Sequence, residues 1–156
     1  MDRESSIAFA TKYLEDILAF FGLNTVVTVT CEEDVIELSV PSTHLNGFLI
    51  GQQGMTLRAL QSLISGALRN KEAEIWRVSV DIAGYKKQRA ERLEEQVREW
   101  CKKIVNSDKP MSLRPMSPAD RRVVHRVVAD YPSLATASEG EGRDRHVVIS
   151  PAAATE

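Results

Sequence analysis

Residues 47–70 read GFLIGQQGMTLRALQSLISGALRN, and this stretch decides the fold. Gly51 and Gly54 stand three apart, directly before a run in which Leu57, Leu60, Ile64, Ala67 and Leu68 recur at helical spacing. The pattern predicts a turn feeding a helix N-terminus. At such a place the first backbone N–H groups lack intrahelical partners and carry the positive end of the helix dipole. Glycines there remove the Cβ atoms that would hold a phosphate or a sugar away from those amides. By itself the glycine pair is a weak signal, because two glycines at this spacing ordinarily only make a turn. A mononucleotide P-loop needs Lys and Ser or Thr after its last glycine, where this chain has Met55 and Thr56, and a dinucleotide fingerprint needs a third glycine. Both are excluded.

Outward from this stretch the elements are plain. Ile7, Ala10, Tyr13, Leu14, Ile17, Leu18 and Phe21 form the stripe of an amphipathic helix that ends at Gly22. TVVTVT (25–30) and VIELSV (35–40), joined through CEED, predict a β-hairpin, and Pro41 ends its second strand. THLNGFLI predicts a short helix or turn, and residues 75–82 return to a strand pattern. The order is helix, strand, strand, short helix, Gly-x-x-Gly, helix, strand. Residues 85–105 predict a further helix, with Tyr85, Leu93, Val97, Trp100 and Ile104 on one side and interspersed Lys, Arg and Glu elsewhere. NSDKP stops it. After Pro110 come a short extended piece (MSLRP), a helix from Pro118 to Asp130, and two strands around LATAS and RHVVIS. The expected class is α+β: a unit over 1–83, a basic connecting helix over 84–109, a small α/β unit over 110–150, and a frayed tail over 151–156.

With 43% apolar and 27% charged residues the composition is that of a folded globular chain. The net charge of -2 conceals an asymmetry: residues 1–83 carry 6 basic and 11 acidic side chains, residues 84–126 carry 12 and 6, and residues 127–156 carry 2 and 5. A basic island of this kind suggests a local polyanion contact, against the plainer alternative of a solvated helix face. Cys31 and Cys101 are too far apart, and too far from any His, for metal-site spacing, so no metal or cofactor is expected. The N-terminal residues offer neither a secretory h-region nor a membrane span, and a cytoplasmic setting is expected.

In SPADRRVVHRVVADY, Ser117 is a natural N-cap, Pro118 suits the first helical position, and Asp120 falls where a capping-box acid belongs. Arg121 and His125 lie about 40° apart on that helix, Arg122 and Arg126 continue the same side, and Val123, Val124, Val127 and Val128 cover the other. Arginines without acidic partners one turn on favour a phosphate-facing surface.

The element order around GFLIGQQG resembles a type II K-homology (KH) domain, αββααβ, whose Gly-x-x-Gly loop clamps about four nucleotides of a single strand. Arg121-x-x-x-His125, with RPMSPADRR before it and SEGEGRDRHVVI after it, resembles the R3H domain. The tandem, together with VDIAGYKKQRAERL, is similar to the bacterial Jag or SpoIIIJ-associated family, also called KhpB or EloR, over roughly residues 5–150. The resemblance implies a single-stranded RNA-binding protein that controls cell elongation or division through transcripts. It places Ile50, Gly51, Gln52, Gln53, Gly54, Met55, Thr56 and Arg58 at the KH site, and Arg121, Arg122, His125, Arg126 and Arg145 at the R3H site. It also implies a second small KH protein as partner, and it leaves open single-stranded DNA at the R3H unit and a homodimer. Family members generally carry basic residues between the two glycines, where this chain has Gln52 and Gln53, and generally have an additional N-terminal domain, which is not expected from these residues. Neutral amides can hydrogen-bond phosphate but contribute no counterion release.

For the aliphatics Leu49, Ile50 and Leu60, a groove wall for bases and plain core packing are both consistent with the sequence. Two other functions draw on parts of the same sequence. A phosphodiesterase would use His125 and Arg121, but no carboxylate cluster for Mg²⁺ accompanies them, so no catalytic residue is assigned. A protein adapter would use the 85–105 helix as its binding surface.

Overall fold

The computed structural model describes residues 1–152, and the chain divides into two compact units between Lys86 and Lys87. The first unit opens with α1 (Arg3–Phe20), whose N-cap Asp2 accepts the Ser5 N–H at 2.8 Å. Its buried stripe, Ala10, Leu14 and Leu18, lies on a three-stranded sheet. Strand β1 (Thr28–Glu32) pairs antiparallel with β2 (Val35–Val40), which pairs parallel with β3 (Arg77–Ile82). Only Glu33 and Asp34 form the hairpin turn, both with positive φ (47° and 60°), the twist a two-residue connection requires. Cys31 and Glu32 of the CEED link therefore belong to the strand.

Between β2 and β3 the chain makes α2 (Asn46–Ile50), one turn of 3₁₀ helix (Gln52–Gly54) and α3 (Met55–Asn70). The side chains of β2 and β3 alternate, so that Ile36, Leu38 and Val40 stand beside Val78, Val80 and Ile82 in register. Leu57, Leu60, Ile64 and Leu68 of α3 and Leu49 of α2 close this core. On one flank of α3, Phe20, Phe21, Phe48 and Leu63 remain exposed around an apolar cleft of about 380 Å³, with Phe21 and Phe48 in edge contact at 5.1 Å between centroids.

Helix α4 (Tyr85–Ser107) begins in the first unit, and from Lys87 onward it belongs to the second. There it joins β4 (Met111–Ser112), α5 (Pro118–Val128), β5 (Leu134–Glu139) and β6 (His146–Pro151). The antiparallel sheet has the order β4-β6-β5. Segment 84–109, expected from its charge to be a connector, instead supplies Leu93, Val97, Cys101 and Ile104 to the buried core of this unit. A two-helix, three-stranded unit has one core, and without α4 four of its eleven described buried apolar residues would be missing. The same packing removes the adapter surface, since the stripe that a partner would need is buried and Trp100 packs against it. Of the tail expected over 151–156, Pro151 closes β6 and the Ala152 N–H bonds the Ser133 carbonyl at 2.8 Å; residues 153–156 lie outside the described residues. No described helix is long and apolar enough to cross a membrane.

A fragment of residues 87–152 is therefore expected to fold alone and a fragment of 110–152 to remain unfolded, as read by NMR dispersion. Val97→Ala should destabilise the second unit by about 2 kcal/mol in denaturant titration. A dispersed spectrum from 110–152 would refute the placement of α4 in that core.

Candidate nucleic-acid interface

The glycine turn is built from three left-handed or glycine-only backbone positions in four residues. Gly51 has φ 71° and ψ -179°, Gln53 φ 53° and ψ 28°, and Gly54 φ 77° and ψ 17°. A Cβ at Gly51 would lie 2.9 Å from the Thr56 nitrogen and run into the Thr56 side chain, so the first glycine is demanded by the turn itself. Gly54 is buried, and a Cβ there would meet Tyr85 Cε1 at 3.3 Å and Arg58 Nη1 at 3.4 Å. Arg58 Nη1 donates to the Gln53 carbonyl at 2.8 Å, holding Gln53 in its left-handed conformation. What the loop presents outward is Gln52, Gln53 and Met55, with Gly51 and Thr56 half-buried. No side chain caps the N-terminus of α3.

Of the aliphatics that the sequence left between groove and core, Leu49 and Leu60 are buried in the core and Ile50 packs against it. The groove lies on another face. α3 and the edge strand β3 run in opposite directions: Gly54 meets Tyr85 at one end, Gln61 Oε1 accepts the Val80 N–H at 3.1 Å midway, and Arg69 stands over Trp76 at the other end, 3.8 Å from the ring centroid. Between the last two lies a cavity of about 440 Å³ whose walls include Gln61, Ser62, Ser65, Arg69, Trp76 and Arg77. On the opposite face of the sheet from α3, the face of Glu37 and Asp81, Lys86 Nζ donates to Ser79 Oγ at 2.6 Å. Burial pushes the Lys86 pKa below the usual lysine value, against the opposing pull of Asp81 and Glu37. Sequence reasoning missed Gln61, Arg69, Trp76 and Arg77. The available signal was a second, polar stripe on α3, Arg58, Ser62, Ser65 and Arg69, at three- and four-residue spacing.

In the second unit Ser117 accepts the Asp120 N–H at 3.2 Å, as its cap position requires. The Asp120 carboxylate does not close a capping box; it takes both Arg89 guanidinium nitrogens at 2.8 Å. Arg126 pairs with Glu94, and Arg98 lies 3.7 Å from Asp130. These three pairs link α4 to α5 at a nearly constant offset along the chain. Arg126 finds its acidic partner on another helix and not on its own next turn, and its side chain remains largely exposed.

Arg121 Nη1 donates to the Met116 carbonyl at 2.6 Å, the Met116 N–H bonds the Arg145 carbonyl at 3.2 Å, and Arg145 Nη1 donates to the Gly140 carbonyl at 3.0 Å. The structure therefore joins Arg121 and Arg145 through Met116. Each guanidinium has further N–H groups beyond the one that holds it in place. Arg122 is exposed. His125 is held at both nitrogens, Nδ1 to Thr136 Oγ1 at 2.7 Å and Nε2 to Ser138 Oγ at 2.9 Å. Both ring nitrogens are thus engaged in tying α5 to β5, which gives His125 a positioning role. Among the described residues no group of three or more His, Cys, Asp or Glu is placed to hold a metal ion.

Residues 9–82 match the model of the KhpA/KhpB KH domain, and residues 88–151 match the R3H domain. The chain is 32% identical over 145 residues to the RNA-binding protein KhpB of Clostridium symbiosum, an alignment that covers 90% of this chain and 64% of the relative. It is 28% identical over 152 residues to RNA-binding protein KhpB of Bacillus subtilis, covering 96% and 73%. With the protein of that name from Streptococcus pneumoniae identity is 25% over 137 residues, covering 88% of this chain and 42% of the relative.

His125→Ala should destabilise the second unit by about 1–3 kcal/mol in denaturant titration, since it leaves the Thr136 and Ser138 hydroxyls without their partner. Unchanged stability would show that the ring anchors nothing.

Proposed function

The chain belongs to the family that joins a KhpA/KhpB-type KH domain to an R3H domain, and from that premise we propose that it is a regulatory protein that binds single-stranded RNA. The observation that carries this reading is the outward-facing, uncapped glycine turn at the head of a polar groove. A strand entering there passes the backbone at Gly51, the Gln52 and Gln53 amides and Thr56, with Ile50 and Met55 beside it. It then runs between α3 and β3 past Gln61.

In this reading Arg58 and Tyr85 hold the loop in shape, and Gly54 supplies the turn from beneath rather than a surface. At the R3H unit Arg121 and Arg145 offer oriented N–H groups to phosphate, Arg122 adds an exposed cation, and His125 and Arg126 keep α5 in place. Two modest sites on one chain gain from effective concentration wherever both reach the same strand. Single-stranded DNA at the R3H unit is distinguished by the same titrations run with the two nucleic acids. The relatives carry the name of binding proteins, and the reading assigns no catalytic step.

The KH model covers both KhpA and KhpB, which supports a second KH protein as a further partner. The apolar cleft around Phe20, Phe21, Phe48 and Leu63 is the kind of surface a protein partner covers. A cytoplasmic setting and a part in controlling cell elongation or division through transcripts follow from the same family premise.

With three to six phosphates neutralised, the logarithm of RNA affinity should fall with the logarithm of salt at about 0.7 per contact, a slope of roughly -2 to -4. Gln52→Lys, at an exposed position, should tighten binding and steepen the slope by about 0.7. The labelled RNA should be recovered intact. Binding that is indifferent to salt would contradict a groove that works on the backbone.

A further inference from the structure

The far end of the KH groove carries a combination that the fold does not need. Trp76 is 38% exposed at the start of the edge strand, and the Arg69 guanidinium lies over its ring. Arg77 follows it, and Ser62 and Ser65 keep the facing wall of α3 low. Gly66 completes that wall. It sits in the interior of α3, where glycine is a poor helix former, and its φ is not among the positive values that would require it. A Cβ built at Gly66 meets no other atom within 4 Å, so no neighbouring part of the chain demands its absence. Alanine at this position would stabilise the helix and fit without a clash. A mid-helix glycine that the protein's own packing does not explain, opening onto a cavity of about 440 Å³ beside a stacked tryptophan and two arginines, marks room kept for something outside the chain.

Resting on the RNA-binding reading above, we propose that this end of the groove is a nucleobase-stacking subsite. A planar base seats against the Trp76–Arg69 layer, over the low wall at Gly66, with its phosphate on Arg77. Bases stack on aromatic rings and on guanidinium planes whatever their identity, so the subsite adds affinity and length of footprint rather than sequence choice. Gly54 and Arg69 are about 22 Å apart along α3 at 1.5 Å per residue, so the strand held at the glycine turn must be extended to reach it.

The test is a set of fluorescence anisotropy titrations at fixed salt, using the full chain and a labelled oligoadenylate of ten nucleotides. Trp76→Ala should weaken binding by about 5- to 150-fold, the range for loss of one stacked base. Gly66→Ala should raise the melting temperature by roughly 2–5 °C and yet weaken binding several-fold, a pairing of signs that unfolding cannot produce. In a Trp100→Phe background, where Trp76 is the sole tryptophan, RNA should quench its emission. Wild-type affinity in both Trp76→Ala and Gly66→Ala would overturn the subsite while leaving the RNA-binding reading intact. Failure of the wild-type chain to bind any single-stranded RNA at low salt would overturn both.

Discussion

The first unit turns on one steric fact: the backbone nitrogen and side chain of Thr56 crowd the place where residue 51 would carry its Cβ. The chain must leave α2, reverse through three residues and begin α3 within that space, which requires φ of 71° at Gly51 and 77° at Gly54. Only glycine adopts such values at little cost, and the non-glycine residue drawn into the left-handed region, Gln53, is held there by Arg58 through its carbonyl. The direction of α3 follows from the turn, and with it the antiparallel run of α3 against β3 that makes a groove. The two glycines therefore differ in what they do. Gly51 admits the helix, while Gly54, buried beneath Tyr85, lets the first residue of α4 close over the loop.

The second unit depends on α4 to the same degree. Its core is the meeting of Leu93, Val97, Cys101 and Ile104 with Val124, Val127, Val128, Val147 and Ile149, and burial raises the pKa of the Cys101 thiol, keeping it protonated and inert. The pairs Arg89–Asp120, Arg126–Glu94 and Arg98–Asp130 then fix which turn of α4 faces which turn of α5. Ion pairs this exposed contribute little to stability, with the Arg89–Asp120 fork, its carboxylate mostly covered, the strongest of the three. Register is the better description of their effect.

This divides the arginines of the second unit by duty. Arg89, Arg98 and Arg126 hold helices together, Arg121 and Arg145 brace two loops through backbone carbonyls, and Arg122 stands open to solvent. A bracing arginine keeps a fixed plane with N–H groups to spare, so the same residue can order the loop and offer a rigid fork to an anion. In the acidic first unit two cations stand along α3, Arg58 at the turn and Arg69 over Trp76. Net charge of the unit is a poor guide to a groove built this way.

The sequence by itself determined the order of elements, the hairpin, the glycine turn and the two modules, because each rests on local rules: apolar periodicity, caps, and backbone angles that few residues accept. It also identified Gly51, Gly54, Arg121 and His125 as positions of consequence. Only the tertiary structure decided what those side chains touch. Nothing within α5 foretold that His125 would bind Thr136 and Ser138 across a strand, that Arg126 would find Glu94, or that Leu49 and Leu60 would face the core while a polar stripe of α3 faced the groove. Those pairings join residues from 11 to 32 positions apart. A one-dimensional pattern fixes which face of a helix is apolar, and the packing of that face against its neighbours is what turns every other face toward its partner.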